Sequence, residues 1–257
     1  MRHLRVLKRS FIHIILAFFA LIIGYPFVWM VSMSFKSERE FYTNPWGLPA
    51  KLALQNYVEA WRLGQIGVYF VNSVLVTLFT VLIISLLASM AAYAFARLKF
   101  PGSTFLFYSF LASLIVPPQV TVVPLYIVFR DLHLLNTRLG LILAYSAGGL
   151  AFSIFLLRAF FLSLPKEIED AAFVDGCSRF GSFFRIILPI SKPALATVVI
   201  FQGMGAWNEF FIALLLIRDA ALRPIPLGLY IFFSQRVIEW TYVFAFLTIA
   251  TIPVIVL

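Results

Sequence analysis

The stretch VYFVNSVLVTLFTVLIISLLASMAAYAFA, Val68–Ala96, contains no charged residue in 29 positions. An α-helix needs about 20 mostly apolar residues to cross the hydrocarbon core of a bilayer. The apolar residues run continuously here, whereas the strands of a membrane β-barrel alternate apolar and polar positions. The stretch therefore predicts a membrane-spanning helix.

Five further apolar runs are long enough to predict spanning helices: Phe11–Ser34, Thr104–Phe129, Leu139–Phe161, Pro193–Ile217 and Thr241–Leu257. Hydrophobic residues make up 62% of the chain and charged residues 12%, whereas soluble domains carry about 25% charged residues. So few charges cannot cover a water-facing surface of this size. The sequence predicts an all-α membrane protein with six transmembrane helices.

The formal net charge of +9 could indicate nucleic-acid binding. The basic residues stand singly between apolar runs, however, which is typical of lipid anchoring and topology signals. We expect contact with membrane lipid and none with nucleic acid. Cys177 is the one cysteine, and the three histidines share no ligand spacing, so we expect neither a disulfide nor a bound metal.

The N-terminus carries Arg2, Arg5, Lys8 and Arg9 ahead of the first apolar run. A signal peptide begins in the same way, but this run is long enough to span and no A-x-A-like cleavage site follows it. We interpret residues 1–10 as a cytoplasmic segment and 11–257 as a transmembrane domain. With that orientation, 11 of the 20 Lys and Arg residues lie inside and 9 outside, so the N-terminal cluster decides the orientation.

The loop Leu162–Lys192 contains LPKEIEDAAFVDGCSRFGSFFRIILPISK, numbered 164–192. Glu167–Val174 is predicted to be a helix, since Pro165 suits a helix start and acidic residues fill the first turn. Gly176 suits the turn that follows. A second helix, Phe180–Leu188, is predicted to end at Pro189.

This predicted hairpin is too polar to be buried in lipid and too apolar to be fully exposed to water. It could be an amphipathic helix lying at the membrane interface. A surface of this composition is otherwise expected to contact a protein partner.

The same loop resembles the cytoplasmic motif E-A-A-x3-G-x9-I-x-L-P of binding-protein-dependent ABC permeases. Asp170-Ala171-Ala172, Gly176, Ile186 and Leu188-Pro189 match it, with Asp170 in place of Glu. The stretches AYAFARLKFPG (92–102), PPQVTVVPLY (117–126) and WNEFFIALLLI (207–217) are similar to the MalG-like subunits of carbohydrate importers. The resemblance implies a type I importer permease with a cytoplasmic coupling helix in the loop 162–192.

The resemblance also implies which residues meet the ATPase and what else the assembly contains. The ATPase-coupling residues would be Glu169, Asp170, Ala171, Ala172, Phe173, Asp175 and Gly176. The partners would be a second permease subunit, two ATPase subunits that use ATP and Mg²⁺, and an external sugar-binding protein, assembled in a bacterial inner membrane. The chain itself has no P-loop, so we expect no cofactor and no enzymatic activity in it.

Polar residues inside the predicted spans are candidates for the substrate path, because such groups usually face a cavity or a partner helix. Trp207, Asn208 and Glu209 combine an aromatic ring with hydrogen-bonding groups, as sugar binding requires. Glu209 could instead bind a neighbouring helix. Two further polar pairs have two possible roles, namely lining a path or forming helix–helix hydrogen bonds. They are Asn72 with Ser73 and Gln119 with Thr121. Gly203 and Gly205 are predicted to allow close helix packing.

Two other functions fit a polytopic chain. An ion-coupled secondary transporter would work without an ATPase and would show inverted repeats and midplane carboxylates. Glu209 is the only acidic residue within a predicted span, and no repeat is visible in the sequence. A purely structural membrane subunit would predict that uptake survives its loss.

Overall fold

The computed structural model describes residues 2–233 and 238–256, and its account of side chains begins at Arg9. Every regular element in these ranges is helical, which confirms the predicted all-α class. The side chains of Arg2, Arg5 and Lys8, on which the predicted orientation depends, lie outside the described residues. Leu257, where the last predicted span ends, lies outside them too.

The helices follow one another along the chain with short connections. They are α1 Arg2–Ser34, α2 Glu38–Thr43, α3 Gln55–Leu63, α4 Ile66–Arg97, α5 Ser103–Ser113, α6 Val122–Asp131, α7 Arg138–Ser163, α8 Glu167–Val174, α9 Arg179–Ser182, α10 Leu188–Ile190, α11 Lys192–Asn208, α12 Phe211–Leu216, α13 Ile225–Phe233 and α14 Trp240–Val256. A π-helical turn, Phe183–Ile187, joins α9 to α10, and 3₁₀ turns lie at Pro118–Thr121 and Ala220–Leu222.

Three helices of the described chain are long and apolar enough to cross a membrane: 9–34, 66–97 and 138–163. Two bent pairs, 103–113 with 118–131 and 179–190 with 192–208, also qualify if each pair counts as one span. The apolar helix α14 has 17 residues. Each of the six predicted runs thus contains apolar helix, but only some are single straight spans.

One compact unit contains residues 1–67 and 228–256. In it, α1 and α3 pack against α14, and the Trp29 indole donates to the Pro45 carbonyl oxygen at 2.9 Å. The buried Asn56 amide donates to the carbonyl oxygens of Ser34 and Lys36, at 2.8 and 2.7 Å, and so fixes the chain where α1 ends. The apolar face of α1 between Phe11 and Tyr25 remains exposed, as expected for a helix that contacts lipid or another subunit.

The second unit contains residues 68–227. Here α7 packs against α5, α11 and α12. One apolar cluster gathers around Ile84, Leu157 and Ile187, and a second around Leu141 and Leu216. Helices α4 and α7 both contribute to the two clusters, so together they connect the halves of this unit.

The third predicted span, Thr104–Phe129, is divided by a sharp bend, because the chain turns by 99° between α5 and the segment 118–131. Pro117 adopts an extended conformation with ψ 133°, as a residue before proline prefers, and Pro118 has no N–H to donate. The Pro117-Pro118 pair therefore ends one helix and starts the next.

The fifth predicted span, Pro193–Ile217, is also interrupted. Helix α11 ends at Asn208, and Glu209 is extended with ψ 120° before α12 begins at Phe211. At its other end, α11 meets the preceding segment, 179–190, at an angle of 74°.

The predicted hairpin is present, and α8 has the predicted bounds. The prediction that its second helix ends at Pro189 was wrong, since helical structure continues to Ile190. The Leu188 N–H donates to the Phe183 carbonyl oxygen, five residues back, in the π turn. This widened turn lies directly before Pro189, where an α-helical bond from the proline nitrogen is impossible.

The predicted division at residue 10 remains a prediction. Helix α1 runs without a break from Arg2 to Ser34, so the backbone shows no boundary there.

Candidate functional site

The end of α8 is shaped by its glycine. Gly176 has φ +79°, and its N–H donates to the Phe173 carbonyl oxygen at 3.1 Å. The Cys177 N–H donates to the Ala172 carbonyl oxygen at 2.9 Å. These two bonds form a Schellman motif, in which a left-handed residue closes the helix. A tight turn therefore follows α8, and the Ser178 hydroxyl caps the next helix by accepting from the Gly181 N–H at 3.1 Å.

A buried ion pair joins the hairpin to the end of α4. The Arg97 Nε lies 2.8 Å from Glu169 Oε2, and the two side chains are only 6% and 7% exposed. The Arg97 Nη2 also donates to the Leu164 carbonyl oxygen at 2.7 Å, at the end of α7. One arginine thus holds α8 and the preceding connection against α4.

Glu169 and Ala172 were predicted to face the ATPase, but both side chains point into this chain. Glu169 is paired with Arg97, and Ala172 is buried. The expectation that the Glu169 carboxylate meets basic groups of a partner is therefore corrected. Its geometry instead suits holding the hairpin in place.

The exposed end of the hairpin carries the other predicted coupling residues: Asp170, Ala171, Phe173, Asp175 and Gly176. Val174, which the sequence analysis did not single out, is 88% exposed and is the most exposed large apolar side chain of the chain's described part. An exposed valine next to Phe173 makes this tip apolar as well as acidic. Such a patch is typical of a protein contact surface.

Glu209 lies at the break between α11 and α12. One carboxylate oxygen accepts from the Ile212 N–H at 2.9 Å, and the other accepts from the Ala213 N–H at 3.0 Å. These are first-turn amides of α12, which have no partner inside the helix. Glu209 therefore starts α12 and takes up the donors that the break leaves open.

A cavity of about 260 Å³ adjoins this break. Its polar lining consists of Thr80, Tyr145, Gln202 and Glu209. Gly148 and Gly205 also line it, and neither has another atom within 4 Å of where a Cβ would lie. Gly205 therefore leaves the cavity open, and the prediction that it allows close helix packing was wrong. Gly203 is buried, as that prediction requires.

Of the predicted path residues, Glu209 lines this cavity and the others are placed elsewhere. Trp207 is buried and packs edge-on against Phe70, with ring centroids 5.6 Å apart. Asn208 is exposed, and its amide donates to the Met204 carbonyl oxygen of its own helix at 2.9 Å. Gln119 lies exposed on the 3₁₀ turn, beside the cavity-lining Pro118.

Asn72 and Ser73 have structural roles. The Asn72 amide donates to the carbonyl oxygens of Ala221 and Arg223, at 2.9 and 3.0 Å, and its own oxygen accepts from Arg138 Nε at 2.8 Å. The Ser73 hydroxyl accepts from the Ile225 N–H at 2.8 Å. Both side chains are buried and fix the loop before α13, so the prediction that Asn72 lines a path was wrong.

Tyr145, Gln202 and Thr80 are cavity residues that the sequence analysis missed. Each is a polar residue in the middle of a predicted span, which is the signal that could have found them. Gln202 donates to the Gly149 carbonyl oxygen at 3.3 Å and to the Ser153 hydroxyl at 3.0 Å. In the part of the chain that the structure describes, no three metal-ligating side chains come together.

Apolar spans, two bent pairs of helices and an exposed hairpin are the features of a multi-pass membrane protein. The model of the family described as "Binding-protein-dependent transport system inner membrane component" matches residues 84–257. The chain belongs to this family, the permeases of ABC transporters.

Individual relatives agree with the family. A probable ABC transporter permease of Bacillus subtilis, YurM, is 42% identical over 95% of this chain and 81% of its own length. The diacetylchitobiose uptake permease NgcG of Streptomyces coelicolor is 37% identical over the same shares. A probable permease for starch degradation products, AmyC of Thermoanaerobacterium thermosulfurigenes, is 35% identical over 90% of this chain and 84% of its own.

The fold has a solved counterpart. A chain from the crystal structure of a bacterial ABC transporter involved in the import of the acidic polysaccharide alginate superposes with a TM-score of 0.83. The match covers 100% of this chain and 95% of that one, at 24% identity. The type I permease fold is thereby confirmed.

Family membership decides between the functions that the sequence left open. The relatives are named as transport permeases, so the chain is a transport subunit and not an enzyme. An ABC permease works with partner subunits, which excludes the ion-coupled transporter that needs no ATPase. The chain is a multi-pass membrane protein.

Replacing Arg97 by Ala should release the hairpin from α4. Removing one partner of a buried pair leaves an uncompensated charge and costs about 3 kcal/mol or more, which corresponds to roughly hundredfold faster amide exchange in residues 167–177. Hydrogen exchange with mass spectrometry measures this. Arg185→Ala, which removes an exposed arginine of the same hairpin, is the control. Equal exchange in both variants would show that the ion pair does not hold the hairpin.

Replacing Glu209 by Gln should loosen the start of α12. A carboxamide has one acceptor oxygen, so one of the Ile212 and Ala213 amides loses its partner, at a cost of about 1–3 kcal/mol. We expect faster amide exchange at those two positions. Asn208→Ala is the matched control, since in the described chain the Asn208 amide donates to Met204 of the same helix, α11. Unchanged protection in E209Q would contradict the capping role.

Proposed function

We propose that the chain is the membrane subunit of an ATP-driven importer of oligosaccharides or related sugars. Support comes from the compounds after which its relatives are named: diacetylchitobiose, starch degradation products, arabinooligosaccharides and sulfoquinovosyl glycerol. These compounds share hydroxyl-rich sugar rings. This chain is 32–37% identical to the four permeases named after these compounds, so it fits the same class of substrate.

The observation that carries the coupling role is an exposed, partly apolar tip on an anchored hairpin. The tip, Asp170 to Gly176, would dock on an ATPase subunit, with Val174 and Phe173 supplying the apolar contact. Its movement would reach the membrane through the Arg97–Glu169 pair, because that pair joins α8 directly to the end of α4. A buried pair suits this role, since it holds one geometry while its neighbours move.

The proposed assembly contains a second permease subunit, two ATPase subunits and an external sugar-binding protein. ATP and Mg²⁺ would be used by the ATPase subunits. The hairpin and the N-terminus would then lie in the cytoplasm of a bacterial cell, which agrees with the basic cluster before α1. Closure of the ATPase subunits would draw the hairpins together and open the path outward.

The cavity at the α11–α12 break is the proposed part of the substrate path in this chain. Tyr145 offers an aromatic face, and Gln202 and Glu209 offer hydrogen-bonding groups. A sugar needs both, because one face of its ring is apolar and its rim carries hydroxyls. Tyr145, which is only 7% exposed, is the aromatic residue that lines this cavity, whereas Trp207 does not line it.

Replacing Gly176 by Leu should uncouple ATP hydrolysis from transport. In the described part of the chain, no atom beyond the two neighbouring residues lies within 4 Å of a Cβ at this position, so a side chain there would chiefly obstruct a docking partner. In proteoliposomes of the assembled transporter, we expect less sugar imported per ATP hydrolysed.

Gly102 provides the control for this variant. It has φ +81°, against +79° at Gly176, and it also has open space around the Cβ position. Leucine at either position carries the same backbone strain, roughly 1–2 kcal/mol. A normal ratio of sugar to ATP in G176L, or the same loss in G102L, would argue against docking at Gly176.

Deleting the gene from its host should abolish uptake of one class of oligosaccharide. Labelled chitobiose, maltooligosaccharides and arabinooligosaccharides are offered in turn, with labelled proline as the unrelated solute. We expect loss of one sugar, normal proline uptake and rescue by the wild-type gene. Uptake of every sugar at the wild-type rate would contradict the proposal and favour a structural subunit.

A further inference from the structure

A basic cavity lies between the end of α4 and the hairpin. It measures about 350 Å³, within the usual range for small ligands. Its charged lining comprises Arg97, Lys99, Lys166, Arg179, Glu169 and Asp170. Arg97 and Glu169 neutralise each other, so Lys99, Lys166 and Arg179 face Asp170 alone, with a net charge of +2.

The three remaining cations come from separate elements. Lys99 follows α4, Lys166 precedes α8, and Arg179 opens α9. The Arg179 guanidinium lies 5.8 Å from the centre of the Phe173 ring, which keeps it beside the hairpin tip. None of the three has an ion pair with an acidic residue in the described chain. An anion that enters the cavity would therefore meet positive charge from three separate elements.

A second cavity, of about 340 Å³, adjoins the first and is almost entirely apolar. Met90, Ala94, Phe180 and Phe183 line it, and Phe180 is 67% exposed. The two cavities share three lining residues: Tyr93, Leu98 and Arg179. A basic cavity and an apolar cavity that share lining residues match a molecule that has an anionic head and a hydrocarbon tail.

We propose that these adjoining cavities bind an anionic phospholipid, with its phosphate among Lys99, Lys166 and Arg179 and one acyl chain beside Phe180 and Phe183. The inference rests on the proposed function, because that function places the hairpin on the cytoplasmic side of the membrane. Anionic lipids of the cytoplasmic leaflet attract basic residues there. A bound lipid would link α4 to the hairpin beside the Arg97–Glu169 pair. The lipid composition of the membrane would then influence coupling.

A lipid fits both cavities better than an acidic side chain of the ATPase does. A protein carboxylate would use the basic cavity and leave the apolar one uncovered. Lys99 lies two residues beyond the last residue of α4, which is a spanning helix. Lipid headgroups surround the ends of spanning helices, so Lys99 is placed to meet them.

The test measures lipid retention. The full chain is purified from its host with the subunits that accompany it and equilibrated in micelles with equal phosphatidylglycerol and phosphatidylcholine of matched acyl chains. Native mass spectrometry gives the ratio of the two lipids that remain bound. Lys99→Gln with Arg179→Gln should lower the phosphatidylglycerol excess by about tenfold. Arg185→Gln with Lys192→Gln removes two exposed cations outside both cavities, and we expect it to keep the excess.

A second variant tests the apolar cavity. Ala94→Leu fills it without changing charge, and we expect less retention of both lipids. The inference is overturned if the phosphatidylglycerol excess is equal in the wild type and in K99Q/R179Q. It is overturned as well if K99Q/R179Q releases the ATPase subunit with lipid unchanged, or if millimolar inorganic phosphate binds while lipid shows no headgroup preference.

The outcome is independent of the test at Gly176. Absence of a lipid preference alongside an uncoupled G176L transporter would reject the lipid site alone. A clear lipid preference alongside a normally coupled G176L transporter would reject the coupling role alone.

Discussion

The buried pair between Arg97 and Glu169 is the contact on which the position of the hairpin depends. It joins three elements, because Arg97 ends α4, Glu169 lies in α8, and the second guanidinium nitrogen bonds the Leu164 carbonyl oxygen after α7. A hydrophobic contact could hold these elements equally strongly. The Arg97 hydrogen bond to the Leu164 carbonyl oxygen also fixes the direction of the guanidinium, since that group is planar and its donors point in set directions.

This contact explains why the hairpin can be exposed and still be positioned. Short helices in water are marginal by themselves, and α8 has only eight residues. Its acidic first turn, its Schellman motif at Gly176 and the anchor at Glu169 together hold it in shape. The remaining surface, around Val174, is left free for a partner.

The sequence predicted the helical class and the hairpin well, because both depend on local signals. Continuous apolar runs predict the spans. The two ends of α8 were predicted correctly from Pro165, the acidic first turn and Gly176. The sequence predicted less about which polar residues face inward. Asn72 and Glu209 look alike as polar residues in apolar runs, yet Asn72 fixes a loop more than 140 residues away in the chain and Glu209 borders a cavity. That distinction depends on tertiary packing, which no local pattern records.

The breaks in the helices explain where the cavity lies. Pro118 follows the bend after α5, Glu209 follows the end of α11, and both line the same cavity. In lipid an open backbone amide is costly, so irregular backbone within a membrane occurs where protein or a water-filled cavity can receive it. Glu209 meets that requirement directly by accepting from two amides of α12. The breaks that divide two of the predicted spans are thus the segments that make a polar cavity possible in an otherwise apolar chain.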